Sequence, residues 1–149
     1  MRHQEIKRDI DSIVVEIKRV TRVVAGGKRM RFRALVVVGD RKGRVGIGVK
    51  KGVDVADAVG KATAQGRKNL ITVPIVDGTI PHIVNIKYKS AKIMLKPALP
   101  GSGIKAGGPV RAIVTLAGIK NISSKMLGSS NKISNVRAVY EAFRMFKNL

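Results

Sequence analysis

The chain of 149 residues carries 30 Lys and Arg against 9 Asp and Glu, a net charge of +21, and no cysteine. An excess of that size calls for a polyanionic partner, usually nucleic acid. A hydrophobic content of 44% excludes a merely solvated polycation, and the lack of cysteine excludes disulfide frameworks and thiolate metal sites.

Residues 1–9 read as a polar extension without the apolar region of a signal peptide, and no apolar run reaches the ~18 residues of a membrane span. A cytoplasmic protein without membrane contact is expected. Ser12 to Val24 is rich in β-branched residues and reads as a strand. Ala25-Gly26-Gly27-Lys28-Arg29 breaks it, and Met30 to Val38 forms a second strand. Gly39 to Gly43 is a turn and Arg44 to Val49 a third strand, which completes an antiparallel meander. Asp54 is a good N-cap for a helix reaching Asn69, with Val55, Val59, Ala62 and Gly66 turned inward and Lys61, Arg67 and Lys68 outward.

A boundary near residues 70–74 divides the chain into a β-β-β-α domain, 10–73, and a second domain, 74–149. The second begins with strands at Ile71 to Val76, Ile80 to Tyr88 and Ala91 to Pro97. A glycine-rich loop follows, then a helix from Pro109 to Ala117 stopped by Gly118. A short strand, Ile119 to Ser123, and a helix from a Ser134 cap to about Phe146 complete β-β-β-α-β-α. The fold class is α+β.

Twelve cations and a single acid, Asp40, lie between Lys18 and Lys51: Lys18, Arg19, Arg22, Lys28, Arg29, Arg31, Arg33, Arg41, Lys42, Arg44, Lys50 and Lys51. Strand alternation puts Arg31 and Arg33 together, and the turns add cations at the ends of the sheet. An ordinary solvated face mixes both signs, whereas this one does not, which points to nucleic-acid phosphate. Arginine suits that task because its planar fork engages two oxygens. Only five aromatics occur, Phe32, Tyr88, Tyr140, Phe143 and Phe146, and the last three have core spacing. Recognition through backbone and shape is expected rather than base stacking.

The loop Pro100 to Pro109 precedes a helix, where backbone amides can cradle phosphate. Gly101, Gly103 and Gly107 do not match the dinucleotide fingerprint, and no acid follows until Glu141. With Lys105 and Arg111 beside it, RNA phosphate is the better ligand. His3 and His82 lack metal-binding partners nearby. No triad or carboxylate pair is suggested, so no catalytic residue, cofactor or metal is expected. A free-standing RNA- or DNA-binding architectural protein is the alternative class, and a nucleotide-using enzyme on the Gly101–Gly108 loop a third.

RVTRVVAGGKRMRFRALVVVGD from Arg19 to Asp40, GRVGIGVKKGVDVADAVGKA from Gly43 to Ala62, GSGIKAGGPVRAIVTLAGI from Gly101 to Ile119 and GSSNKISNVRA from Gly128 to Ala138 resemble the small ribosomal subunit protein five family. The resemblance covers nearly the whole chain. It implies a double-stranded-RNA-binding-like first domain and a second, two-layer sandwich domain with a left-handed crossover. It also implies ribosomal RNA as ligand, proteins four and eight of the small subunit as neighbours with protein three as a further candidate, and a position by the path of incoming messenger RNA. Gly26, Gly27 and Lys28 match the family's RNA-contacting loop, while Ala25 stands where many members have lysine. The end at Leu149 is shorter than in many members.

Overall fold

A computed structural model describes residues 10–146; segment 1–9, His3 included, and the side chains of Arg22, Val24, Lys28 and Arg29 lie outside the described part. The elements are β1 (Asp11–Val24), β2 (Gly27–Gly39), β3 (Arg44–Gly52), α1 (Val55–Lys68), β4 (Ile71–Thr72), β5 (Val84–Tyr88), β6 (Ala91–Pro97), β7 (Ile104–Lys105), α2 (Gly108–Ala117), β8 (Ile122–Met126) and α3 (Lys132–Met145). Strands β1-β2-β3-β4 form an antiparallel sheet, and β5-β6-β8-β7 a mixed one in which β7 and β8 are parallel and joined through α2. The α+β class and the two sheets follow the expectation.

The meander is longer than its glycines suggest. Pairing continues through Lys28 and Arg29 to Val24↔Gly27, so only Ala25 and Gly26 turn. Gly27 has φ +129°, a conformation that a residue with a Cβ rarely adopts and that allows so short a connection. Ile71 and Thr72 pair with Val45 and Arg44, so they close the first sheet rather than open the second. Pro74 follows and cannot donate to a ladder. The third strand of the second half is instead Ile104–Lys105, within the stretch read as loop. The order β-β-β-α-β-α therefore holds with one strand exchanged.

Three further boundaries move: the strand expected from Ile80 begins only at Val84, after Pro81 and a bend at residues 81–82. The last strand starts at Ile122, because Lys120 and Asn121 donate their amides to the Gly78 carbonyl at 2.9 and 3.0 Å. The last helix is capped by Asn131, whose side chain accepts from the Ile133 amide at 3.1 Å, while Ser134 is buried.

Helix α1 is capped by Asp54, which accepts from the Asp57 amide at 2.7 Å, while the Asp57 carboxylate accepts from the Val53 amide at 3.1 Å. Its buried face is Ala58, Ala62 and Gly66; Val59, half-buried, packs against the same cluster, while Val55 is exposed, contrary to expectation. The reason lies in β3. A Cβ on Gly46, Gly48 or Gly52 would strike the backbone of Gly66, Ala62 or Ala58 respectively. The helix thus lies on a strand face where Gly46, Gly48 and Gly52 present no side chain and only the exposed Lys50 interrupts them, so its smallest residues fit closest to the strand.

The layers run α1, first sheet, α2 with α3, second sheet. Ala34, Val36 and Val38 pack toward α1. The other face of the same strands, Leu35, Val37, Val45 and Ile47, joins one core with Ile113, Leu116, Val139 and Phe143 of the helices and Ile93 and Leu95 of the second sheet. Burying each such side chain contributes about 1.5–3 kcal/mol. The halves also meet through polar groups. Arg41 and Gly43 donate amides to Leu116 and Ala117 carbonyls at 2.9 and 2.8 Å, and the Tyr140 hydroxyl donates to the Asn69 carbonyl at 2.8 Å.

Candidate nucleic-acid interface

Strand β3 pairs with β2 only as far as Phe32↔Gly52. Beyond it β1 and β2 continue alone, through the register pairs Val20↔Arg31, Thr21↔Met30, Arg22↔Arg29, Val23↔Lys28 and Val24↔Gly27. This two-stranded ribbon projects roughly 15–17 Å at the rise of a β-strand. Val23 is 75% and Met30 49% exposed. A two-stranded hairpin with neither face covered is only marginally stable in water, so a partner suits it.

The base of the ribbon carries the densest described cations. Lys18, Arg33 and Lys51 are register neighbours across β1, β2 and β3, and Arg31 lies two residues along on the face of Arg33. The acid near this row is Glu16, 3.7 Å from Lys18. Arg19 is opposite Phe32 and Lys50 opposite Ala34, so both belong to the other face. The twelve cations therefore do not share one surface. For Arg22, Lys28 and Arg29 the backbone register is described and the side chains are not.

Arg41, Lys42 and Arg44 lie at the far end of β2, roughly 40 Å from the ribbon tip at about 3.3 Å per residue. Two of them are engaged. Arg41 binds Asp11 at 2.9 Å, and Arg44 binds Asp40 at 2.7 Å. Asp40 also accepts from the amides of Lys42 and Arg44 at 2.8 and 3.1 Å. Burial pushes this carboxyl up, but the bond from the Arg44 side chain, the two amides and the Arg44 charge together hold it below the usual carboxylate range. Arg44 thus braces a turn, whereas Lys42 is exposed.

Lys105 on β7 and Arg111 on α2 are both exposed and flank Gly107, the helix N-cap. The preceding loop is held down: Gly103 donates its amide to the Asn121 side chain at 3.0 Å and its carbonyl accepts from Ile122 at 3.1 Å. Its glycines therefore serve a chain turn, with Gly101 and Gly103 at φ +90° and +74°. Among the described residues no cluster of His, Asp and Glu could hold a metal, and no helix is long and apolar enough to cross a membrane. His82 is exposed, its ring edge-on to Phe146 at 5.0 Å.

Scanning for dense runs of charge misses Lys87, Lys92, Lys96 and Lys125, which are thinly spread in sequence but exposed on the second sheet. Their signal is alternation, as in Lys92-Ile93-Met94-Leu95-Lys96.

Two family models match. Residues 10–74 fit "Ribosomal protein S5, N-terminal domain" and residues 86–149 fit "Ribosomal protein S5, C-terminal domain". The chain belongs to the ribosomal protein S5 family. It is 48% identical over 145 residues to small ribosomal subunit protein uS5c of Rhodomonas salina, an alignment covering 97% of this chain and 86% of that one. The ribbon and the sheet–helix seam lie within the S5 N-terminal match, and the second sheet from Ile86 onward within the C-terminal one. As an S5-family chain it has a structural role in the ribosome.

Proposed function

We propose that this S5-family chain is a structural constituent of the small ribosomal subunit that binds small-subunit ribosomal RNA by phosphate and shape contacts. The ribbon with its unbalanced cations carries the reading. It is long, uncovered and flanked by Lys18, Arg31, Arg33 and Lys51, and it gains order and charge neutralisation only against a polyanion. Arginine at its base binds backbone oxygens through a planar fork, and the scarcity of exposed aromatics leaves backbone and shape as the means of recognition. Lys28, Arg29, Arg22 and the glycines Gly26 and Gly27 extend the contact to the tip. Arg19, Lys50, Lys42, Lys105 and Arg111 contribute from other faces, and Arg41 and Arg44 do so only beside their carboxylate partners.

In this reading the chain sits ribosome-bound in the cytoplasm, beside small-subunit proteins four and eight, where messenger RNA enters, and supports assembly and accurate decoding. The residues serve binding and packing, with no catalytic step. Sedimentation of a tagged copy at low and moderate salt tests the assignment: co-migration with the small subunit is expected, and migration as a free protein overturns it. Arg31→Gln with Arg33→Gln tests the mechanism. The dependence of log K on log salt for small-subunit ribosomal RNA becomes shallower by about 1.4–1.8, from roughly 0.7–0.9 per phosphate contact. An unchanged slope means that the ribbon base does not touch phosphate. Equal affinity for random DNA favours a free-standing architectural protein instead.

A further inference from the structure

The outer face of the second sheet carries lysine on all four strands. Lys87 on β5 is the direct register partner of Lys92 on β6. Alternation brings Met94 and Lys96 to the same face. Lys125 on β8 pairs with Met94, Ser123 with Lys96, and Lys105 on β7 with Ser123. All five lysines are exposed, while the opposite side of these strands, with Ala91, Ile93, Leu95 and Ile122, is core. The two acids of residues 71–149 are elsewhere: Asp77 is in the Asp77–Gly78 turn and Glu141 is on α3, bonded to Arg144 at 3.1 Å.

Two ordinary explanations fail. A solvated sheet face mixes signs, and like charges placed directly opposite, as Lys87 and Lys92 are, destabilise a strand pair. Lysine is also used to protect exposed edge strands from aggregation. That accounts for Lys87 and Lys105 but not for Lys92, Lys96 and Lys125, because β6 and β8 are interior strands. The face has no aromatic for stacking and no arginine fork for bidentate pairing, so it suits repeated point contacts with a sugar–phosphate backbone.

We propose that this face, Lys87, Lys92, Lys96, Lys105 and Lys125, is a second RNA-backbone surface, separate from the ribbon and on the outermost layer of the opposite half. It rests on the ribosomal-RNA reading above and makes the protein a two-sided brace that holds one RNA segment at the ribbon and another at the sheet.

Lysine acetylation followed by mass spectrometry tests it on the wild-type protein. In intact small subunits, Lys92, Lys96 and Lys125 are expected to react at least tenfold less than in the free chain, and to recover after ribonuclease digestion. Full reactivity in the subunit overturns the proposal, as does protection that survives ribonuclease, which identifies a covering protein. With purified full-length chain and transcribed small-subunit ribosomal RNA, Lys92→Gln, Lys96→Gln and Lys125→Gln together flatten the salt slope by up to about 2–2.7. If the ribbon variant flattens the slope and this one does not, the second surface is refuted while the ribosomal-RNA reading stands. If neither wild type nor variants bind, that reading fails first.

Discussion

Replacing Gly48 with alanine tests whether the seam between α1 and β3 sets the first half of the fold. The added Cβ would lie 2.7 Å from the Ala62 carbonyl carbon and 3.1 Å from its Cα, and would run into the carbonyl oxygen. Carbon atoms prefer 3.5–4.0 Å, so the helix must withdraw by about 1 Å. Withdrawal also opens the Gly46–Gly66 and Gly52–Ala58 contacts, because one rigid helix makes all three. Overpacking costs about 1–3 kcal/mol, and this contact, backbone against backbone on both sides, belongs at the upper end. A loss of about 3 kcal/mol lowers Tm by about 6–12 °C for a chain of this length. Gly60→Ala is the matched control. Gly60 lies within α1 with nothing near its Cβ position, and alanine there gains about 0.5–1 kcal/mol by helix propensity. Urea denaturation reads both as shifts of the midpoint at constant slope. A Gly48→Ala protein as stable as the parent to within about 0.5 kcal/mol refutes the seam.

Asp40→Asn removes the charge that Arg44 and two amides hold, and costs about 1–2 kcal/mol at pH 7 by chemical denaturation. Because the folded carboxyl titrates below its unfolded value near 3.9, its stabilisation is present above that pH and disappears as pH falls through the folded value. Parent and variant therefore converge as the carboxyl protonates, and a gap that does not narrow as pH falls below about 3.9 contradicts the assignment. Tyr140→Phe removes the bond to the Asn69 carbonyl and lowers stability by about 0.5–1.5 kcal/mol without altering RNA affinity, as binding and melting measured on the same sample show.

The long elements were legible because several local signals agree in each. β-Branched runs mark β1 and β2, Asp54 marks the start of α1, and Gly118, at φ +91°, marks the end of α2. The two-residue strands β4 and β7 carry no readable period, and only pairing with β3 and β8 makes them strands. Helical spacing alone places Val55 inward, whereas the glycines of β3 decide how close a helix comes and so favour the smaller Ala58. The basic run is dense in sequence, but density does not tell one face from two. Register separates Lys18, Arg31, Arg33 and Lys51 from Arg19 and Lys50, and it assembles the scattered lysines of the second sheet. The engagement of Arg44 was readable in principle, since Asp40 stands four residues before it across a tight turn.

The shared core has a consequence for how the chain is made. The first sheet is complete once Thr72 has been synthesised, yet Leu35, Val37, Val45 and Ile47 have no cover on that face until α2 and α3 arrive, the latter ending at Met145. At ordinary translation rates of about 5–20 residues per second, those side chains wait roughly 4–15 s beside the ribosome that is making them. During that interval the nascent half is a sheet with an open apolar face and a strongly basic ribbon, prone to stick to other nascent chains and to any nearby RNA. Production of this protein in excess of its RNA should therefore strain chaperone capacity more than its modest size suggests.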